Sequence, residues 1–434
     1  MNKPPKGMSY NLKVIVLAIQ IIVFARNSLR GASYTISLIK PLVNLGTPSY
    51  TTVQMWVLKY GLYLLNKPKE KRNDWIWILD HTIEYGKKKN LVIIGITLET
   101  LRKNECKITH KDVVVFDIDV VEKADSDSVK SRLVEIEKLV GTPVQIVSDG
   151  GLNLVRAIRE FGEEHNDNTI IITYDVTHKA SLILKSFLED DERWIEFTKH
   201  ITFTKRCLVH TILSFMAPPK PKEKSRWLNL EEFIKWAENA LLQAEEIMNE
   251  EATNKYKDKV SWVNDFVEDI KKWRKILDII NLMMKEIKHN GLSDKTLSIV
   301  SKKMDDMKLK SKIMKKIKAD IIDYIAEESK DLDGVYLGCS DIIESIFGRY
   351  KNFSAKTPMK EVGKAVLTMP IFTSDINPAE VKEAMETITE QDVKDWLNEN
   401  IGESLFAKRL IFCQLRKNNQ KVSQEILENF KRCA

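Results

Sequence analysis

Chain breakers are scarce in this sequence: 434 residues hold only 16 glycines and 12 prolines. That excludes collagen-like and low-complexity classes. Cysteine is scarcer still. The five (Cys106, Cys207, Cys339, Cys413 and Cys433) are scattered, and no two are spaced for a disulfide framework or a zinc knuckle. An odd, dispersed set reads as a reducing compartment. A long hydrophobic run is missing as well. The apolar stretch Leu12–Ala25 is interrupted by Lys13 and Gln20 and is too short to span a bilayer. It also lacks the pattern of a cleaved signal peptide. It reads as a buried helix, so the protein is expected to be soluble and cytoplasmic, with no membrane partner. Neither charge sign dominates. Lys plus Arg is 68 against 62 for Asp plus Glu, a net charge of +6. This mildly basic balance is compatible with nucleic acid without demanding it.

What is present is a foldable mixture: 43% hydrophobic and 30% charged residues of mixed sign. The length suggests two to four domains. Residues 1–70 read as three helices, Asn11–Ala25, Ala32–Val43 and Tyr50–Leu65, with a break at Ser28–Gly31 and a turn at Leu45–Ser49. Ser49 is suited to cap the third. Helix, glycine-containing turn, helix is the outline of a helix-turn-helix unit. Gln54 and Lys59, with Tyr50, Thr51 and Thr52, would then form a DNA recognition face. An ordinary helical bundle has the same outline. Lys67–Arg72 reads as a linker.

From residue 75 the periodicity changes. Trp75–Glu84, Leu91–Leu98 and Val113–Val121 are strand-like apolar runs, the third broken by Asp117 and Asp119. Ser126–Val140 has helical spacing, with Val129, Leu133, Ile136, Leu139 and Val140 on one face. Val144–Val147 is a short strand, Leu152–Glu164 a helix and Thr169–Tyr174 another strand. The order β-β-β-α-β-α-β predicts an α/β core with a mixed sheet flanked by helices, placed at residues 71–224. Residues 225–335 read as an all-helical insertion, with long amphipathic stretches Leu228–Asn249, Val260–His289 and Thr296–Glu328. Residues 336–357 carry a further helix from Asp341, and 358–434 form a helical C-terminal region.

Three acids stand out by position. Asp80 ends the first strand after WIWIL, Asp149 ends the fourth before Gly150 and Gly151, and Glu344 lies on the helix beyond the insertion. In a sheet of this order the first and fourth strands can lie side by side, which would bring Asp80 and Asp149 together. Clustered carboxylates suit hard cations such as Mg²⁺ or Mn²⁺. Two such ions can activate the attacking oxygen and stabilise the leaving oxygen of a phosphodiester. The glycines would let backbone pass close to a bulky substrate. Each acid also has an ordinary reading, since Asp before Gly is a common turn residue.

These residues resemble a family. Ile78-Leu79-Asp80-His81-Thr82, Ile146-Val147-Ser148-Asp149-Gly150-Gly151 and Asp341–Lys351 are similar to the three acidic motifs of DDE transposases with an RNase H-like core. More narrowly they resemble bacterial insertion-sequence transposases with a helical insertion before the last acid. The acids are separated by 69 and 195 residues, and the second interval accommodates the insertion. The resemblance covers roughly residues 30–355. It implies catalytic, metal-binding roles for Asp80, Asp149 and Glu344, with two Mg²⁺ or Mn²⁺ ions. It implies double-stranded DNA as partner, both transposon ends and target, in a homodimer or higher homo-oligomer. It implies phosphodiester hydrolysis followed by strand transfer, and a nucleoid-associated protein. Lys351, seven residues after Glu344, matches the family's basic residue and is expected at DNA with Arg349. Two other outcomes stay open: a catalytically inactive or domesticated DNA-binding protein on this scaffold, and an RNase H-like nuclease without strand transfer.

Some features depart from the pattern or compete with it. Leu337 and Ser340 occupy positions where some relatives have tyrosine and arginine. Cys207 and His210 resemble a Cys-x-x-His element of hAT and Mutator-type transposases, but two ligands make half a zinc site. Asp175 competes with Asp149 for the second acid. His178 either contacts a scissile phosphate or packs beside a helix cap. Lys308, Lys310, Lys312, Lys315 and Lys316 lie in a basic helical stretch that either tracks DNA backbone or is a solvated face. Trp227, beside Arg226, is a candidate to stack on an extruded base.

Overall fold

In a computed structural model, the structure describes residues 1–43, 46–83, 86–122, 125–165, 170–220, 230–247, 257–309, 311–330, 332–355 and 361–417. The chain divides into two compact units. One comprises Met1–Thr173 with Ser340–Ala434, the other Tyr174–Cys339.

The first unit opens with α1 (Leu12–Val23), α2 (Leu29–Val43) and α3 (Tyr50–Asn66). The side chain of Asn11 caps α1 by accepting the Val14 N–H, and Ser49 caps α3 by accepting the Thr52 N–H. The apolar stretch at the N-terminus is a buried helix, as its composition predicts. No helix among the described residues is long and apolar enough to cross a membrane.

A five-stranded sheet follows: β1 (Trp75–Ile83), β2 (Lys89–Thr97), β3 (Val114–Val121), β4 (Gln145–Ser148) and β5 (Ile171–Tyr174). Its order is β3-β2-β1-β4-β5. β2 runs against both β1 and β3, and β1 and β4 are parallel. Between strands lie α4 (Leu98–Lys103), α5 (Ser126–Val140) and α6 (Leu152–Glu163). Alternation along β1 sends Trp75, Trp77 and Leu79 to one face. There they bury against Val129, Leu133 and Ile136 of α5 and Leu154, Ile158 and Phe161 of α6. On β3, Asp117 is held by the Arg132 guanidinium, whose Nη2 donates to Oδ1 at 2.6 Å. Its charge therefore serves the packing of α5 on the sheet.

The second unit holds α7 (Val176–Leu188), α8 (Glu192–Leu208), α9 (Leu230–Ile247), α10 (Lys257–Val260), α11 (Val267–Asn290), α12 (Thr296–Asp306) and α13 (Lys312–Glu328). The Val176 N–H donates to the Gly338 carbonyl at 3.1 Å, so the chain enters and leaves this unit at one place. An insertion is thus present, but it starts at Tyr174 and not at residue 225. The reason is tertiary. α7 packs on α11, and Trp194 and Phe197 of α8 join Trp262, Phe266 and Trp273 in one aromatic core. An amphipathic pattern shows that a face is buried, not against what. The stretch Thr296–Glu328 is two helices, because Lys308 between them adopts a left-handed φ of 50°.

The first unit resumes with α14 (Asp341–Ser354), α15 (Met369–Phe372), α16 (Pro378–Thr387), α17 (Glu390–Asn400) and α18 (Leu405–Lys417). α3 packs against α1, α2, α15, α16, α17, β3 and a 3₁₀ turn at Lys364–Thr368. Residues 1–70 and the C-terminal helices therefore share one unit with the sheet. They are not separate domains.

Candidate active site at the ends of the central strands

The register of the two parallel strands builds the site. Ile78 pairs with Val147 and Leu79 with Ser148. Asp80 follows within β1, which continues to Ile83, and Asp149 is the first residue beyond β4, so the two acids come from adjacent strands, which lie roughly 4.8 Å apart. Leu79 faces the α5–α6 layer, so alternation turns Asp80 to the opposite face. Asp80 is 9% exposed, and its Oδ1 accepts the backbone N–H of His81 at 2.6 Å. Asp149 is half-buried, and its Oδ1 accepts the Gly151 N–H at 3.2 Å, where Gly151 leads into α6. His81 lies close enough to feel both neighbours. Burial holds its pKa below the ordinary value, the charge of Asp149 works against that, and Lys89 adds to the lowering.

Glu344 sits in the first turn of α14, which packs on β1, α15 and the 3₁₀ turn at Lys364–Thr368 and buries Ile342, Ile343, Ile346, Phe347 and Tyr350. The Glu344 side chain itself is exposed. On the same helix the Lys351 ammonium lies over the Phe347 ring at 5.8 Å. Arg349 is half-buried. Burial lowers its pKa, and the nearby charge of Arg26 lowers it further. His110 is lowered by burial and then by Arg349. Arg26 and Arg349 thus place two cations near one another, with His110 within reach of Arg349, a grouping that no motif in the sequence announces.

The donor chemistry of Asp80 and Asp149 suits a hard cation. Yet among the described residues no group of three or more His, Cys, Asp or Glu side chains is arranged to hold a metal ion. Asp80 lies on β1, Asp149 directly follows β4 beside it, and Glu344 sits on α14, which packs on β1.

The remaining candidates fall elsewhere. Asp175 is fully buried and caps α7, its Oδ1 accepting the His178 N–H at 2.8 Å. In α3 Tyr50 and Thr51 are exposed, but Lys59 is 7% exposed and its pKa is lowered by burial against the partial offset of Glu390 and Asp392. It cannot enter a DNA groove from there, which corrects the reading of Lys59 as a recognition residue: its stem is needed in the helix packing. Gln54 is half-buried and accepts a hydrogen bond from Lys364 Nζ at 2.8 Å. Lys308, Lys312, Lys315 and Lys316 are exposed, with Lys316 over the Phe187 ring at 5.5 Å. Lys310, Trp227 and Arg226 lie outside the described residues. Cys207 is half-buried on α8 and His210 exposed just beyond it.

No family model and no curated protein sequence matches the chain. It is similar to a solved structure. That structure is the Drosophila P element transposase strand transfer complex. The similarity is 13% sequence identity with a TM-score of 0.39, over 89% of this chain and 94% of that one. The chemistry therefore rests on the residues themselves.

Proposed function

We propose that the chain is a DNA transposase of the DDE type with an RNase H-like core, using Asp80, Asp149 and Glu344 on a phosphodiester. The observation that carries this reading is the register of β1 and β4, which brings together Asp80 on β1 and Asp149 just beyond β4 from adjacent central strands. The sheet order β3-β2-β1-β4-β5 and the insertion before the helix of Glu344 support it. The reading goes on to two Mg²⁺ or Mn²⁺ ions, transposon ends and target DNA as partners, a homodimer or higher assembly and a place at the nucleoid. A cation held by these carboxylates would supply charge stabilisation to the reacting phosphate. Asp80 and Asp149 would hold and orient it from rigid strands. Lys351 and Arg349 would contact the DNA backbone from α14, fixing register without reading sequence.

The test is cleavage of DNA carrying the element's own ends, beside a binding assay on the same DNA. Asp80→Asn, Asp149→Asn and Glu344→Gln are each expected to abolish cleavage, by several kcal/mol of lost stabilisation, with binding retained. Cleavage near the wild-type rate in any one variant would remove that acid from the assignment. The exposure of Glu344 favours a second reading, a DNA-binding protein on the same scaffold without activity. Binding without cleavage by the unaltered chain would select it.

A further inference from the structure

Two buried oxygens beside Asp80 have no hydrogen-bond partner among the described residues: Thr82 Oγ1 and Asn90 Oδ1. Thr82 is 1% and Asn90 0% exposed, so bulk water does not reach them. They stand opposite each other, Thr82 on β1 pairing with Asn90 on β2. Thr82 lies two residues after Asp80 in the same strand, so all three side chains share one face of the sheet. The Asn90 amide nitrogen is turned to the Met369 sulfur at 4.0 Å, which leaves the carbonyl oxygen directed elsewhere.

A buried acceptor without a donor is costly, and native interiors rarely tolerate two as neighbours. Direct cross-strand partners have Cβ atoms about 4.5–5.5 Å apart and diagonal partners about 7–8 Å. A water between them can therefore reach all three side chains. Such a molecule accepts the Thr82 O–H, donates one hydrogen to Asn90 Oδ1 and the other to the Asp80 carboxylate. Two of these bonds satisfy Thr82 and Asn90, the third goes to a carboxylate that already accepts the His81 N–H, and three bonds is the usual complement of a buried water. We propose that Thr82 and Asn90 position the Asp80 carboxylate through one buried water. The role of that carboxylate toward a cation rests on the function proposed above. The hydration site does not.

The full chain decides the matter by crystallography and variant stability. The expected result is density for one water within about 3.2 Å of the three oxygens. Thr82→Val and Asn90→Leu keep the shape and remove the oxygen, and each is expected to lower Tm by about 1–3 °C. Thr82→Ser keeps the hydroxyl and retains the water. In a Mn²⁺ titration, Thr82→Val and Asn90→Leu weaken binding by about 10-fold while Thr82→Ser does not. An empty site with an unchanged or raised Tm in the apolar variants overturns the proposal, since oxygens without a partner are better replaced. So does density with ligand distances near 2.1 Å, which belongs to an ion. If Asp80→Asn leaves Mn²⁺ affinity unchanged, the metal reading of Asp80 fails. The water and the Tm shifts still decide this one.

Discussion

Glu328 shows how one side chain couples folding to pH. It lies near the end of α13, and its Oε2 accepts the Tyr174 N–H at 3.0 Å while the Tyr324 hydroxyl donates to the Tyr174 carbonyl at 2.7 Å. Burial pushes its pKa up from an ordinary 4.5 to about 7, outweighing the backbone hydrogen bond that favours the charged form. The folded state therefore binds a proton more tightly than the unfolded one. Stability from this group is fully present below about pH 4.5 and is lost as pH rises through about 7. Glu328→Gln is expected to lessen the fall in urea midpoint between pH 5 and pH 8. The same fall in both proteins would show that Glu328 does not carry it. Asp175, next to Tyr174 in the chain, is spent as the cap of α7. The choice between cap and catalytic acid was not legible in YDVTH alone, because both uses place Asp at the end of a strand.

At the scale of elements, α3 departs most from its sequence reading. Its N-cap and length were legible: Ser49 caps it and it runs Tyr50–Asn66. Its surroundings were not, since its Leu58 and Leu62 pack with Leu367 and Val393 from distant parts of the chain. Gly61 records how close that packing is. A Cβ there would stand 1.8 Å from the Leu367 carbonyl oxygen in the 3₁₀ turn. Alanine favours a helix over glycine by roughly 1 kcal/mol, but a clash with backbone is worse. Gly61→Ala is therefore expected to destabilise the first unit by about 1–3 kcal/mol, measured by chemical denaturation. A neutral or stabilising outcome would mean that the turn is not held against α3.

For the whole molecule, the excess of six positive charges matters less than where the lysines are exposed. Lys303 is paired with the buried Glu286 and Lys318 with Asp305. Lys308, Lys312, Lys315 and Lys316 remain exposed along α13 and the turn before it. If these touch phosphates, removing four charges should weaken binding to all DNA sequences alike. It should also flatten the dependence of log K on log salt by about four units at most. A titration with an unchanged slope would leave them as a solvated face.

The sequence by itself determined the local elements and their order. Apolar runs located the five strands. The spacing of Val129, Leu133, Ile136, Leu139 and Val140 located α5 at Ser126–Val140, where it is found, although Leu139 is exposed. Asp80 and Asp149 were visible because a charge closing an apolar run interrupts a pattern of short range, but β1 continues past Asp80 to Ile83. Tertiary structure alone decided the rest. It paired Leu79 with Ser148, so that Asp80 and Asp149 become neighbours across a gap of 69 residues. It moved the start of the insertion to Tyr174, drew Lys59 into the packing, left Glu344 exposed and sealed Thr82 and Asn90 away from water. Periodicity reports that a face will be buried. Register, packing partners and the satisfaction of buried polar atoms depend on segments hundreds of residues apart, and these meet only when the chain has folded.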